Sequence, residues 1–187
     1  MGDIPAQTKM VSPIIISPKP GEKLPANKAI TVQVQVANLN PGKFTLPYGT
    51  YYTAPQQVDS DGQVMGHVHV TVQSMGISMT PAQPLDASTF VYFKGINDVG
   101  NGRGLLSTTI PEGLPTGFYR VCTMNSAQNH QPVLMPVAQR GAQDDCTKFS
   151  VGSTEITHKG PKTELRLASN EVLTEKMQYV SDICFGE

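Results

Sequence analysis

The sequence has no tryptophan, few charged side chains and little cysteine. Of its 187 residues 16% are charged, and the charges sum to −1. Such a chain offers no basic field for a phosphate backbone, so we predict that nucleic acid is not a partner. Its longest apolar runs, such as Ile14, Ile15 and Ile16, are far shorter than a membrane span, so we predict none. No charged-then-apolar signal peptide is recognisable at residues 1–5.

The sequence is rich in turn residues, with 17 Gly and 15 Pro, and it contains short segments in which every second residue is apolar. In residues 30–36, isoleucine and valines alternate with Thr31, Gln33 and Gln35, as in a strand with one buried face. We predict further strands at residues 64–73, 90–93, 105–110, 118–122, 133–137 and 147–151. A count of about seven to nine strands predicts an all-β antiparallel β-sandwich, with a barrel as the nearest alternative.

The ends of the chain differ from this pattern. Residues 1–12 are predicted to be a loose leader before a sandwich at residues 13–151. Residues 152–187 carry more charge, and Leu173, Met177, Val180 and Cys184 recur there at helical spacing. We therefore predict a C-terminal tail that is helical or continues as a strand.

The chain has three cysteines. Cys122 and Cys146 lie next to predicted strands, and a disulfide between them would contribute roughly 3 kcal/mol. The alternative is two buried free thiols. Cys184 is left over, and either it or the tail could join two chains into a homo-oligomer.

Several segments are similar to known extracellular modules. Residues 12–24, SPIIISPKPGEKL, resemble the opening of immunoglobulin-like domains in fungal cell-surface proteins. Leu114-Pro115-x-Gly117-x-Tyr119 is similar to the strand entry of such modules, in which the tyrosine hydroxyl bonds to upstream backbone. Residues 11–151, with segments 51–57, 66–70 and 129–133, resemble small secreted proteins of filamentous fungi. The resemblance implies an immunoglobulin-like type of β-sandwich and a secreted, extracellular location, and it implies no established activity.

Three histidines form a candidate metal site. His67 and His69 are two residues apart on a predicted strand, so both imidazoles project to one side, and His130 in a polar loop could add a third ligand. The ion would be copper or zinc, and methionines near these histidines in the sequence favour copper. The alternative is that His67 and His69, opposite the core valines, lie on a solvated sheet face and only bond to neighbours. No cofactor is otherwise required.

Aromatic residues suggest a second candidate site. Tyr48, Tyr51 and Tyr52 cluster in a loop-like segment, where exposed rings could stack on a ligand while Gln56 and Gln57 supply amides. The alternative is that these tyrosines cover an edge of the sandwich.

Motifs for nucleophilic catalysis and phosphate binding are lacking, so the enzyme question stays open with a leaning to no. We predict a secreted, non-enzymatic module that binds a glycan or protein ligand at the fungal surface or in a host. The first alternative is a metal-binding protein or metalloenzyme that uses the histidine pair, and the second is a structural protein that self-associates.

Overall fold

Period-two patterning builds two β-sheets in the computed structural model, which describes residues 2–51 and 53–152. In that part of the chain no helix is long and apolar enough to cross a membrane. One α-helical turn, α1, covers Pro47–Thr50, and a 3-10 turn covers Gln7–Lys9. The strands are β1 Ser12–Ser17, β2 Lys23–Leu24, β3 Ile30–Ala37, β4 Leu39–Asn40, β5 Val64–Ser74, β6 Tyr92–Ile96, β7 Leu105–Ile110, β8 Gly117–Ala127 and β9 Cys146–Val151.

The strands form an immunoglobulin-like sandwich. One sheet has the order β1-β3-β7, and the other has the order β2-β9-β8-β5-β4, with β6 also paired to β5. The long pairings are antiparallel, as predicted. Two short pairings, β2 with β9 and β4 with β5, are parallel.

A single apolar core lies between the two sheets. Val32 and Val34 of β3 are fully buried, and so are Val68, Val70 and Val72 of β5 on the facing sheet. Burying each such side chain contributes about 1.5–3 kcal/mol. The period-two prediction for both strands is therefore confirmed, and it leaves the odd-numbered residues of β5 on the opposite, outer face of their sheet.

The tyrosine at the start of β8 behaves as the resemblance implied. The Tyr119 hydroxyl donates a hydrogen bond to the backbone carbonyl of Pro115, at 2.9 Å. Its ring stacks on Phe149 of the neighbouring strand, with ring centroids 5.8 Å apart. This residue ties the turn before β8 to the core.

Two predicted strands differ from the structure. Residues 133–137 form no strand, and the pairing with β8 ends at the bridge from Ser126 to Pro132 and the hydrogen bond from the Val133 amide to the Asn125 carbonyl. Pro132 and Pro136 have no N–H to donate to a ladder, which explains this break. The strand predicted at 90–93 begins at Tyr92 and extends to Ile96.

Residues 2–11 are packed against the domain and are not a loose leader. Val11 is buried in the core, and Gly2 forms a β-bridge with Gln56. The amide of Asp3 also donates to the Gln56 carbonyl. The sequence did not reveal this packing, because the N-terminal segment contacts residues that are distant from it in the sequence. The predicted tail at 152–187, beyond Gly152, lies outside the described residues.

Candidate metal centre

His67 and His69 lie on the outer face of β5, but this face is not solvated. The exposed fraction is 0% for His67 and 8% for His69, so the alternative that they lie on a solvated sheet face is wrong. The reason is the segment that follows β4. The Lys43 amide donates to the Gly66 carbonyl and the Thr45 amide donates to the Gln128 carbonyl, which holds this segment over the histidines.

His130 is brought to the same place by a turn after β8. Its backbone has a φ of 66°, a left-handed conformation that histidine adopts more readily than most residues. Its amide donates to the Ala127 carbonyl at 2.9 Å, so the chain folds back over β5. The centroid of its ring lies 4.7 Å from that of His67 and 6.1 Å from that of His69. The turn therefore supplies the third imidazole that the strand lacks.

The three imidazoles converge. One ring nitrogen from each of His67, His69 and His130 lies within 4.8 Å of the others. A tetrahedral ion bound by imidazoles at about 2.0–2.1 Å needs nitrogens roughly 3.4 Å apart, so a small inward shift of the rings suffices. The geometry thus allows one zinc or copper ion to be held by all three.

Backbone carbonyls define which nitrogens remain for a ligand. The Lys43 carbonyl lies 3.1 Å from Nδ1 of His67, and the Thr45 carbonyl lies 3.1 Å from Nε2 of His130. A carbonyl only accepts, so each of these nitrogens carries the hydrogen, and Nε2 of His67 and Nδ1 of His130 keep free lone pairs. Among the described residues, His67 Nε2 is buried without a hydrogen-bond partner. A buried, unpartnered nitrogen is costly unless a ligand uses it.

Burial keeps the imidazoles of His67 and His69 neutral at neutral pH. Desolvation, together with the neighbouring imidazoles of His69 and His130, lowers the pKa of His67 to about 3. Desolvation likewise lowers the pKa of His69 to about 4, with His130 contributing. The Nδ1 atom of His69 lies 3.3 Å from the Ser126 hydroxyl. Neutral imidazole is the form that binds metals, so His67 and His69 need no deprotonation at neutral pH.

Each histidine also contacts an aromatic ring. Phe44 meets His67 edge-on at 6.0 Å, Tyr51 stacks on His130 at 4.9 Å, and Phe93 stacks on His69 at 5.2 Å. Sequence reasoning missed Phe44 and Phe93, as well as the carbonyls of residues 43 and 45. Of these groups, only Phe93 could have been anticipated from the sequence, because it lies in a predicted strand. The rings surround the centre with apolar material.

The predicted aromatic ligand site is divided by the fold. Tyr48 is 84% exposed on α1, whereas Tyr51 covers His130. Gln56 is fully buried, and its amide donates to the carbonyls of Asp3 and Leu134 and accepts from the Leu134 amide. The expectation that Gln56 faces a ligand is therefore corrected, because its side chain joins the N-terminal segment to the domain.

Gln57 and Tyr52 complete the predicted ligand site. Gln57 is exposed, and its side-chain oxygen accepts from the Gln128 amide. Tyr52 lies outside the described residues.

The predicted disulfide is formed in the structure. Cys122 and Cys146 are directly opposite each other on β8 and β9 and are bonded. This cross-link closes the loop between the two strands. Cys184 lies outside the described part of the chain.

Comparisons with known proteins support the fungal resemblance. Residues 13–152 match the family described as CLU5d N-terminal domain. "Pathogenicity cluster 5 protein d" of Colletotrichum graminicola (strain M1.001 / M2 / FGSC 10212) is 60% identical over 152 residues. The matched region is 81% of this chain and 32% of that relative, so the chain spans about a third of the relative's length.

A solved structure is also similar, at a greater distance. It is described as "Structures of Clostridium thermocellum CbhA fibronectin(III)-like modules", with 14% identity and a TM-score of 0.35. The match covers 76% of this chain and 46% of that one. A likeness this distant has no bearing on function.

Proposed function

The chain belongs to the CLU5d N-terminal domain family, and we propose that this domain binds one zinc or copper ion through His67, His69 and His130. The observation that carries the proposal is the convergence of three imidazole nitrogens within 4.8 Å. The lone pair of His67 Nε2, buried and without a partner in the described part of the molecule, supports it. Three histidines are a ligand set that suits both metals.

The role that we propose for the centre is binding and not catalysis. His67 and His69 are buried beneath residues 43–45, which leaves a substrate little access to the ion. We further propose that the domain is secreted. The disulfide between Cys122 and Cys146 supports this, because such bonds persist in oxidising compartments. The Colletotrichum relative is named "Pathogenicity cluster 5 protein d", and a secreted domain would be placed to act on a host.

The test is metal titration of the purified, metal-stripped chain. We expect Zn²⁺ or Cu²⁺ to bind with one ion per chain and to raise the melting temperature, since a ligand that binds only the folded state stabilises it by about 4 kcal/mol at a thousand times its dissociation constant. His67→Gln should abolish both effects. His158→Gln, at the fourth histidine of the sequence, is the matched control and should bind normally. Equal binding by both variants would refute the proposal.

A second candidate function rests on the exposed segment beside the centre. Phe44, Leu46, Tyr48 and Tyr51 are all exposed large side chains within eight residues of sequence. Such a row is typical of surfaces that stack on sugars or pack on proteins. In a glycan array, and in a binding assay against candidate host proteins, a ligand retained by the wild type should be lost by Tyr48→Ser. Retention by the variant would exclude this surface.

Self-association through residues 152–187 or Cys184 stays a prediction, because both lie outside the described residues. A non-reducing gel together with light scattering tests it. A dimer that persists in Cys184→Ser and disappears on deleting the tail would assign it to the tail.

A further inference from the structure

We propose that the three-histidine centre is selective for copper in the cuprous state, and that the thioether of Met124 is its fourth ligand. This inference rests on the proposed metal-binding function and goes beyond it by naming the metal, its charge and one more ligand. Two observations carry it. They are the composition of the buried ligand cluster and the position of Met124 across from His69.

The first observation concerns charge. In the stretches 2–51 and 53–152, the cluster of potential ligands at this place contains imidazoles alone, without a carboxylate. A bound ion therefore keeps its full charge inside a site lined by Phe44, Tyr51 and Phe93. The cost of desolvating an ion grows with the square of its charge, so a neutral, apolar cage disfavours a divalent ion much more than a monovalent one. Cuprous copper is the monovalent ion that imidazole and thioether ligands suit.

The second observation is the register of β5 against β8. Met124 pairs directly with His69, and residues opposite each other in an antiparallel ladder project to the same face. Their Cβ atoms lie about 5 Å apart in such pairs, which is within reach of a long, flexible side chain. Met124 is 43% exposed and is not part of the hydrophobic core, so burial in the core does not fix its side chain.

Three other methionines compete poorly for this role. Met75 is buried and Met135 packs against the core. Met65 is the nearest rival, because it shares the outer face of β5 with His67. It lies on the same strand as the two histidines, however, and not opposite either of them on the neighbouring strand. Thioether sulfur selects cuprous copper over zinc, so Met124 would give the site its metal preference.

The experiment compares cuprous copper and zinc in the whole, disulfide-bonded chain. Copper is kept reduced with ascorbate and its affinity is measured by competition with a chromogenic cuprous chelator, while zinc affinity is measured by titration. Met124→Leu keeps the side-chain volume, and Met65→Leu is the matched control. We expect Met124→Leu to weaken cuprous binding by at least about tenfold and to leave zinc binding unchanged. Replacing a residue that only hydrogen-bonds to a metal ligand already weakens metal affinity by about that factor. Met65→Leu should change neither.

X-ray absorption at the copper edge of the loaded wild type provides a second measurement that depends on no variant. We expect one sulfur scatterer beside three imidazole nitrogens. Unchanged cuprous affinity in Met124→Leu, a loss confined to Met65→Leu, or copper bound by nitrogen alone would overturn the inference while the metal-binding proposal stands. Zinc binding without cuprous binding would overturn it in the same way. Absence of both metals would defeat the proposed function itself.

Discussion

Acid should destabilise the metal-free protein through two buried imidazoles. In the folded chain, burial lowers the pKa of His67 to about 3 and that of His69 to about 4. In the unfolded chain both return to an ordinary pKa of about 6.5. Below that value the unfolded state binds more protons than the folded state, so stability is highest above about pH 7 and falls as the pH drops towards 4 and 3.

The magnitude follows from those pKa values. At about pH 5 the unfolded imidazoles are largely protonated, whereas those of His67 and His69 in the fold are largely neutral. Each therefore costs about 2 kcal/mol of unfolding free energy relative to neutral pH, and together they cost about 4 kcal/mol. A domain of ordinary stability, about 5–15 kcal/mol, would lose a substantial fraction of it.

The assay is urea unfolding with a metal chelator present, at about pH 7.5 and about pH 5. The comparison is with the double variant His67→Gln/His69→Gln, in which neither residue titrates. Carboxylates contribute equally to both proteins, so the difference between their pH effects isolates the imidazoles. We expect the wild type to lose about 4 kcal/mol more than the variant over this interval. Equal losses would show that the two histidines are not buried as neutral groups.

Two further predictions concern the stability of the sandwich that positions the site. Tyr119→Phe removes the hydrogen bond to the Pro115 carbonyl and should lower the unfolding free energy by about 1 kcal/mol with the fold unchanged; an unaltered urea midpoint would contradict this. Replacing Cys122 and Cys146 together by alanine should cost roughly 3 kcal/mol, measured by the same unfolding assay under non-reducing conditions, and a change near zero would show that the bond contributes little.

The long strands could be predicted because their sequences alternate strictly. Ile30 to Val36 places every second side chain in the core, and β5 does the same with its valines. Local pattern cannot reveal pairings between distant segments. The leader was therefore predicted as loose although Gly2 bridges to Gln56, more than fifty residues away. The short parallel pairings were missed for the same reason.

For the candidate site, too, local features could be predicted from the sequence and contacts between distant segments could not. Strand geometry predicts that His67 and His69 share a face, and the polar loop suggested His130 as a partner. Their burial could not be predicted, because it depends on residues 43–45 crossing the outer face of a sheet to which they do not belong. The tautomers of His67 and His130 could not be predicted either. They are defined by the backbone carbonyls of Lys43 and Thr45, and because every residue has a carbonyl, the sequence does not show which ones face a histidine.

The central claim is that the bare nitrogens of three imidazoles bind one ion, and long-range nitrogen NMR of the histidine rings tests it most directly. Without metal, His67 should carry its hydrogen on Nδ1 and His130 on Nε2. On adding one equivalent of Zn²⁺, Nε2 of His67, Nδ1 of His130 and one nitrogen of His69 should shift together and saturate, while His158 stays unchanged. Shifts confined to one ring, or no saturable shift at all, would contradict a shared metal centre.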